Sequence, residues 1–78
     1  MLKEKTLTIG QAIRKARKAK KVTQDELAEK TGYYRSIISR WEKDAQTPKI
    51  TAIIDIADAL GVSIDELVGR KVKEGAEE

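Results

Sequence analysis

An all-α domain of five short helices is what this sequence predicts, on three observations. Apolar residues recur at i, i+3 and i+4 in successive short stretches, the pattern of helices with one buried face. A Ser or Thr followed three residues later by Glu or Gln stands at the head of three of them: Thr8 with Gln11, Thr23 with Glu26, and Ser63 with Glu66. In each pair the hydroxyl and the longer side chain satisfy free N–H groups reciprocally at a helix start. Finally, no stretch alternates with period two as a strand would, and there is no internal repeat or low-complexity linker.

The first helix opens at Leu7-Thr8, and Ile9, Ile13 and Ala16 line one face, with Arg17 one turn beyond Ile13. Its other face is a basic stripe of Arg14, Lys15, Lys18 and Lys21, either plain solvated surface or a phosphate-facing edge. Thr23 caps the second helix and Val22 staples onto Leu27, which puts Gln24 at the helix start, where backbone N–H groups lack partners. A phosphate is well received there, and the Gln24 amide adds a donor. Leu27 and Ala28 share a face; Gly32 follows where the chain must bend and a positive φ is cheapest.

In the third helix Ile38, Trp41 and Glu42 share a face, so Ser36, Ser39, Arg40 and Lys43 point the opposite way, with Arg35 on the flank at the helix start. This is a helix-turn-helix unit. Ala28 is small where the next helix crosses, Ile38 and Trp41 pin the crossing, and a polar outer face is left free to enter a DNA groove.

After the connection 44–48, Pro48 suits the first turn of the fourth helix. There Ile50, Ile53, Ile54, Ala57 and Leu60 follow the helical repeat as a core face, and Gly61 ends it. Val62 staples onto Leu67 in a fifth helix running to about Val68 and closed by Gly69. The expected organisation is a flexible N-terminus over 1–6, one domain over 7–69, and a charged, disordered tail over 70–78.

Composition narrows the function. Without Cys or His there is no disulfide framework, no thiolate metal site and no nucleophile–base arrangement, so neither a metal, a cofactor nor an enzyme is expected. Asp55, Asp58, Asp65 and Glu66 have plainer roles as helix surface or caps. No apolar run approaches the roughly 20 residues of a membrane span and no signal-peptide core is present, so a cytoplasmic protein with no membrane partner is expected. The net charge of +3 is unevenly spread. Residues 1–43 hold twelve Lys/Arg against five Asp/Glu (+7), whereas residues 44–78 hold four against eight (−4). The basic half is the half that holds the helix-turn-helix, which suits a polyanion.

Several stretches in register, TQDELA at 23–28, Gly32, RSIISRWE at 35–42, TP at 47–48 and IADALGVSIDEL at 56–67, make the chain resemble the lambda-repressor/Cro-like, or XRE-type, helix-turn-helix family over roughly residues 9–68. The resemblance implies a compact five-helix DNA-binding domain, with the motif on helices two and three and the third helix inserted in the major groove of double-stranded DNA. It marks Arg35, Ser36 and Arg40 as base-edge readers, Ile37 and Ser39 as secondary contacts, and Gln24 and Lys43 as phosphate clamps. Arg can bond guanine bidentately and Ile37 can press on a thymine methyl. For Arg40 a phosphate contact stays open, and Ser36 and Ser39 can equally be ordinary helix surface. The family also pairs an Arg of helix one with the Glu closing helix three, here Arg17 and Glu42, both already turned inward by spacing.

Three departures stand out. Lys21 and Asp44 occupy positions where family members often carry Gly, and Tyr34 replaces the usual Ser or Thr cap of helix three, at a cost of about 1 kcal/mol. Tyr34 can compensate by giving its hydroxyl to a phosphate, and Tyr33 by packing its ring. The function so implied is sequence-specific binding by a small stand-alone transcriptional regulator, a repressor rather than an activator. It would act as a homodimer through helix five, where Ile64, Leu67 and Val68 form the dimer surface or simply close the core. The alternative is an antitoxin or adaptor module with a protein partner.

Overall fold

Helix starts decide the layout. The computed structural model describes residues 7–68, within which five helices follow in order: α1 (Ile9–Ala19), α2 (Gln24–Thr31), α3 (Arg35–Glu42), α4 (Ile50–Leu60) and α5 (Ile64–Leu67). The expectations for residues 1–6, for Gly69 and for the tail lie outside the described residues. Among the described residues there is no strand, and no helix is long and apolar enough to cross a membrane.

Thr8 and Thr23 each accept a hydrogen bond from the backbone N–H three residues on, and Gln11 and Glu26 accept one back from the cap's N–H. Ser63 accepts from the Glu66 N–H at 3.3 Å, the forward bond alone. α3 and α4 begin on Tyr34 and Lys49, neither of which caps with its side chain.

The core forms where these helices turn their apolar faces inward. Ile13, Leu27, Ile38, Ile56 and Leu67 are fully buried, one from each helix, and Trp41, Ala52, Ile53, Ala57 and Leu60 complete the cluster. α1 packs on α3 and α5 while α2 packs on α3 and α4, so α3 is gripped from two sides.

Two expectations need correction, for α4 and for Pro48, and one alternative left open for α5 is decided at Leu67. Ile50 and Ile54 are 57% and 39% exposed, because the apolar arc of α4 is wider than its buried face, which centres on Ala52, Ile53, Ile56, Ala57 and Leu60. Leu67 is fully buried and closes the core, leaving Ile64 as the exposed apolar residue of α5. Pro48 precedes the α4 cap rather than opening the helix, and it is itself buried.

The turns at the two unusual positions are left-handed: Lys21 has φ +58° and Asp44 φ +60°, where a Cβ costs energy. Asp44 regains something in return. Its carboxylate accepts from the Gly10 N–H at 3.1 Å and from the Thr8 hydroxyl at 2.7 Å, so the residue leaving α3 helps hold the start of α1. The approach is close enough to require glycine at position 10, since a Cβ there would lie 2.2 Å from the Trp41 carbonyl oxygen and 2.6 Å from Asp44 Oδ1.

Gly10→Ala should therefore lower stability by about 1–3 kcal/mol, as overpacking against backbone does, in denaturant unfolding. Lys21 is exposed and has no such compensation, so Lys21→Gly should leave stability unchanged or raise it by up to about 1 kcal/mol in the same assay.

Candidate nucleic-acid interface

The bend between α2 and α3 is set by Gly32, which takes φ +85° and lets the chain reverse after α2. The next residue fastens the bend to the body. Tyr33 stacks edge-on against Trp41, with ring centroids 5.2 Å apart at 73°, and its hydroxyl donates to Asp55 Oδ2 at 2.6 Å. That hydrogen bond, with burial adding to it, raises the phenol above its ordinary range, so the contact is intact at neutral pH and lost only in strong alkali. Trp41 is buried, and its indole N–H meets no acceptor among the described residues.

A second fastening acts at the far end of α3. Glu42 receives Arg17 bidentately, Nε to Oε2 at 2.7 Å and Nη2 to Oε1 at 2.9 Å, and both residues are buried. The remaining nitrogen, Nη1, donates to the Val22 carbonyl at 2.9 Å, which ties in the loop between α1 and α2. The hydrogen bond to Glu42 raises the Arg17 guanidinium above its ordinary range, against the opposing effect of burial. Such a pair fixes orientation more than it adds net stability.

Between these anchors the outer side of α3 is free. Arg35, Ser36, Arg40 and Lys43 are exposed, and Tyr34 is 78% exposed at the head of the helix. Because Tyr34 supplies no side-chain acceptor, the first N–H groups of α3 are uncapped beside it. Ser39 is half-buried, and Ile37 packs partly against the core, so only part of its side chain faces outward. Of the expected basic stripe, Arg14, Lys15 and Lys18 are exposed on α1, whereas Lys21, also exposed, lies beyond the helix in the left-handed turn that follows it.

Gln24 is placed differently from a simple phosphate donor. Its Nε2 donates to Glu42 Oε1 at 3.0 Å, and its Oε1 lies 3.5 Å from Arg35 Nη1. The amide therefore links the buried pair to the exposed arginine, with one amide hydrogen left over. Sequence reasoning missed this link and the contact of Asp25 Oδ1 with Arg35 Nε at 3.1 Å. Both span more than one helical repeat across a turn, where no periodicity points. It also missed the Asp44 bonds to α1, which join residues 34 and 36 positions apart.

A buried pivot pair, a glycine bend and a short helix with an exposed, basic, uncapped outer face make up a helix-turn-helix domain. The helix-turn-helix family model matches residues 13–67, and the chain belongs to that family. It is 37% identical over 65 residues to the immunity repressor protein of Bacillus phage phi105, covering 83% of this chain and 45% of that one. The chain spans about half the length of several other curated relatives it matches. Among solved structures it superposes with TM-score 0.73 on the P22 c2 repressor bound to a synthetic operator, at 32% identity over 81% of this chain and 96% of that one. It superposes equally well on SinR, a master regulator for biofilm formation, in complex with DNA, at 39% identity over 77% and 97%. SinR has also been solved in a complex with SinI protein.

Removing one partner of a buried pair strands the other charge. Glu42→Ala should cost roughly 3 kcal/mol or more in denaturant unfolding, whereas exposed Glu29→Ala should stay within about 0.5 kcal/mol of the parent.

Proposed function

We propose that this chain binds double-stranded DNA sequence-specifically, with α3 in the major groove, and serves a transcriptional repressor. The observation that carries this is the outer face of α3: Arg35, Ser36 and Arg40 stand exposed on a helix whose inner side is locked by Ile38, Trp41 and Glu42. The DNA-bound structures of relatives support it. In this reading Arg35, Ser36 and Arg40 meet base edges, Ile37 and Ser39 make lesser contacts, and Lys43 and Tyr34 reach phosphates. Gln24 contributes its remaining amide hydrogen at the α2 N-terminus, where a phosphate is well placed.

The same reading assigns a cytoplasmic location, no cofactor and no catalytic step. It also assigns a two-fold dimer on half-sites about one helical turn apart, with Ile64 and half-buried Val68 as the contact on α5. A protein-partner reading is favoured by a different observation: Ile50 and Ile54 are exposed on α4, and the relative SinR is known in a protein complex. Co-purification of a stoichiometric partner seated on α4 would favour it over autonomous operator binding.

Titration of duplex DNA selected from a random pool tests the main reading. Arg35→Ala should weaken the selected site by about 1–3 kcal/mol and relax one base position, whereas Lys43→Ala should weaken all sequences alike. Affinity should also fall steeply between low and moderate salt as counterions are released; an affinity indifferent to salt would remove the phosphate assignments.

A further inference from the structure

The contact at the junction of α2 and α3 extends the reading of Arg35 as a base reader, and rests on it. Two ion pairs occur among the described residues, and one of them involves the outer face of α3: Arg35 with Asp25. Arg40 and Lys43 have no acidic partner among the described residues. Asp25 lies in the first turn of α2, and the side chains of Asp25 and Arg35 are 82% and 59% exposed.

A carboxylate at this place opposes DNA binding. It repels backbone phosphates and offsets one of the few positive charges on the reading face. The fold has little use for it either, because an exposed pair adds little stability and the start of α2 is already served by Thr23 and Glu26.

What the contact does supply is orientation. Asp25 Oδ1 lies 3.1 Å from Arg35 Nε, and Gln24 Oε1 lies 3.5 Å from Nη1. Gln24 is not free to turn its amide, because its Nε2 donates to Glu42 Oε1, which is held in turn by Arg17. Two acceptors thus flank the guanidinium, one beside Nε and one beside Nη1. A guanidinium restrained beside Nε and Nη1 keeps the remaining hydrogens of its fork for guanine O6 and N7 together. It must also abandon Asp25 to reach a phosphate at a wrong sequence, whereas a guanine contact leaves the pair in place. Specificity is a difference between affinities, and an element that penalises the wrong complex raises it.

We propose that Asp25 is a positioning and specificity-determining residue: with Gln24 it aims Arg35 at a guanine and withholds it from phosphates, so that discrimination is gained at the expense of affinity. The test uses the duplex that the wild-type chain recovers from a random-sequence pool, and the same duplex with the Arg35-dependent base pair replaced. Asp25→Ala and Asp25→Asn should melt close to wild type and bind the replaced duplex more tightly. The ratio of the two affinities should fall roughly two- to five-fold, the range that the coupling of an exposed ion pair supports. In an Arg35→Ala background Asp25→Ala should shift both affinities by one common factor.

An equal shift on both duplexes in the presence of Arg35 would overturn the proposal, as would a change in the ratio on Asp25→Ala in the Arg35→Ala background, or a recovered site with no guanine at the Arg35-dependent position. A wild-type chain that recovers no common sequence would instead bring down the base-reading role of α3, and this inference with it.

Discussion

The buried contact between Arg17 and Glu42 is the constraint on which the remaining geometry depends. α3 has only eight residues and no side-chain cap at its start, too short and too poorly terminated to hold an orientation by itself. Its register comes from outside. Arg17 seizes the last residue of the helix and, through Nη1, the loop that leads into α2. One guanidinium therefore sets the end of α3 and the entry to α2 together, and the two helices of the motif cannot rotate independently without stranding a charge.

From that pair a polar relay runs outward. Glu42 orients the amide of Gln24, and Gln24 and Asp25 lie beside Arg35. Buried electrostatics, which contribute modestly to net stability, are here converted into the placement of an exposed side chain. Ahead of α3, Tyr33 lies against Trp41 and Asp55, and just past its end Asp44 reaches back to Thr8 and Gly10. α3 is thus held near both ends by side chains of other segments, with Ser36, Arg40 and Lys43 left exposed along it.

How much of this could be read beforehand follows from the range of each interaction. The starts of α1, α2 and α5 were legible because a cap and its partner sit three residues apart, and the inner face of α3 because Ile38, Trp41 and Glu42 obey one helical period. The Arg17–Glu42 contact was reachable because spacing turned both inward and the family resemblance joined them. The buried face of α4 is narrower than its apolar arc, and periodicity alone cannot say that Ile50 and Ile54, at the edge of that arc, stay exposed. Asp44 looked like a simple cost of a left-handed turn. Its return as a hydrogen-bond acceptor for α1 depends on how the chain closes, and no local pattern carries that. The link from Gln24 to Glu42 was not legible, because the partner that orients the amide lies eighteen residues away.

The burial of Trp41 has an optical consequence. It is the chain's lone tryptophan, it sits on α3, and its indole lies against the Tyr33 ring in an apolar setting. Its emission therefore reports on the docking of α3 without interference from any second fluorophore of its kind. Local detachment of that helix would register as a spectral change distinct from fraying of α1 or α5, giving the molecule a built-in reporter at the join between α3 and the rest of the fold.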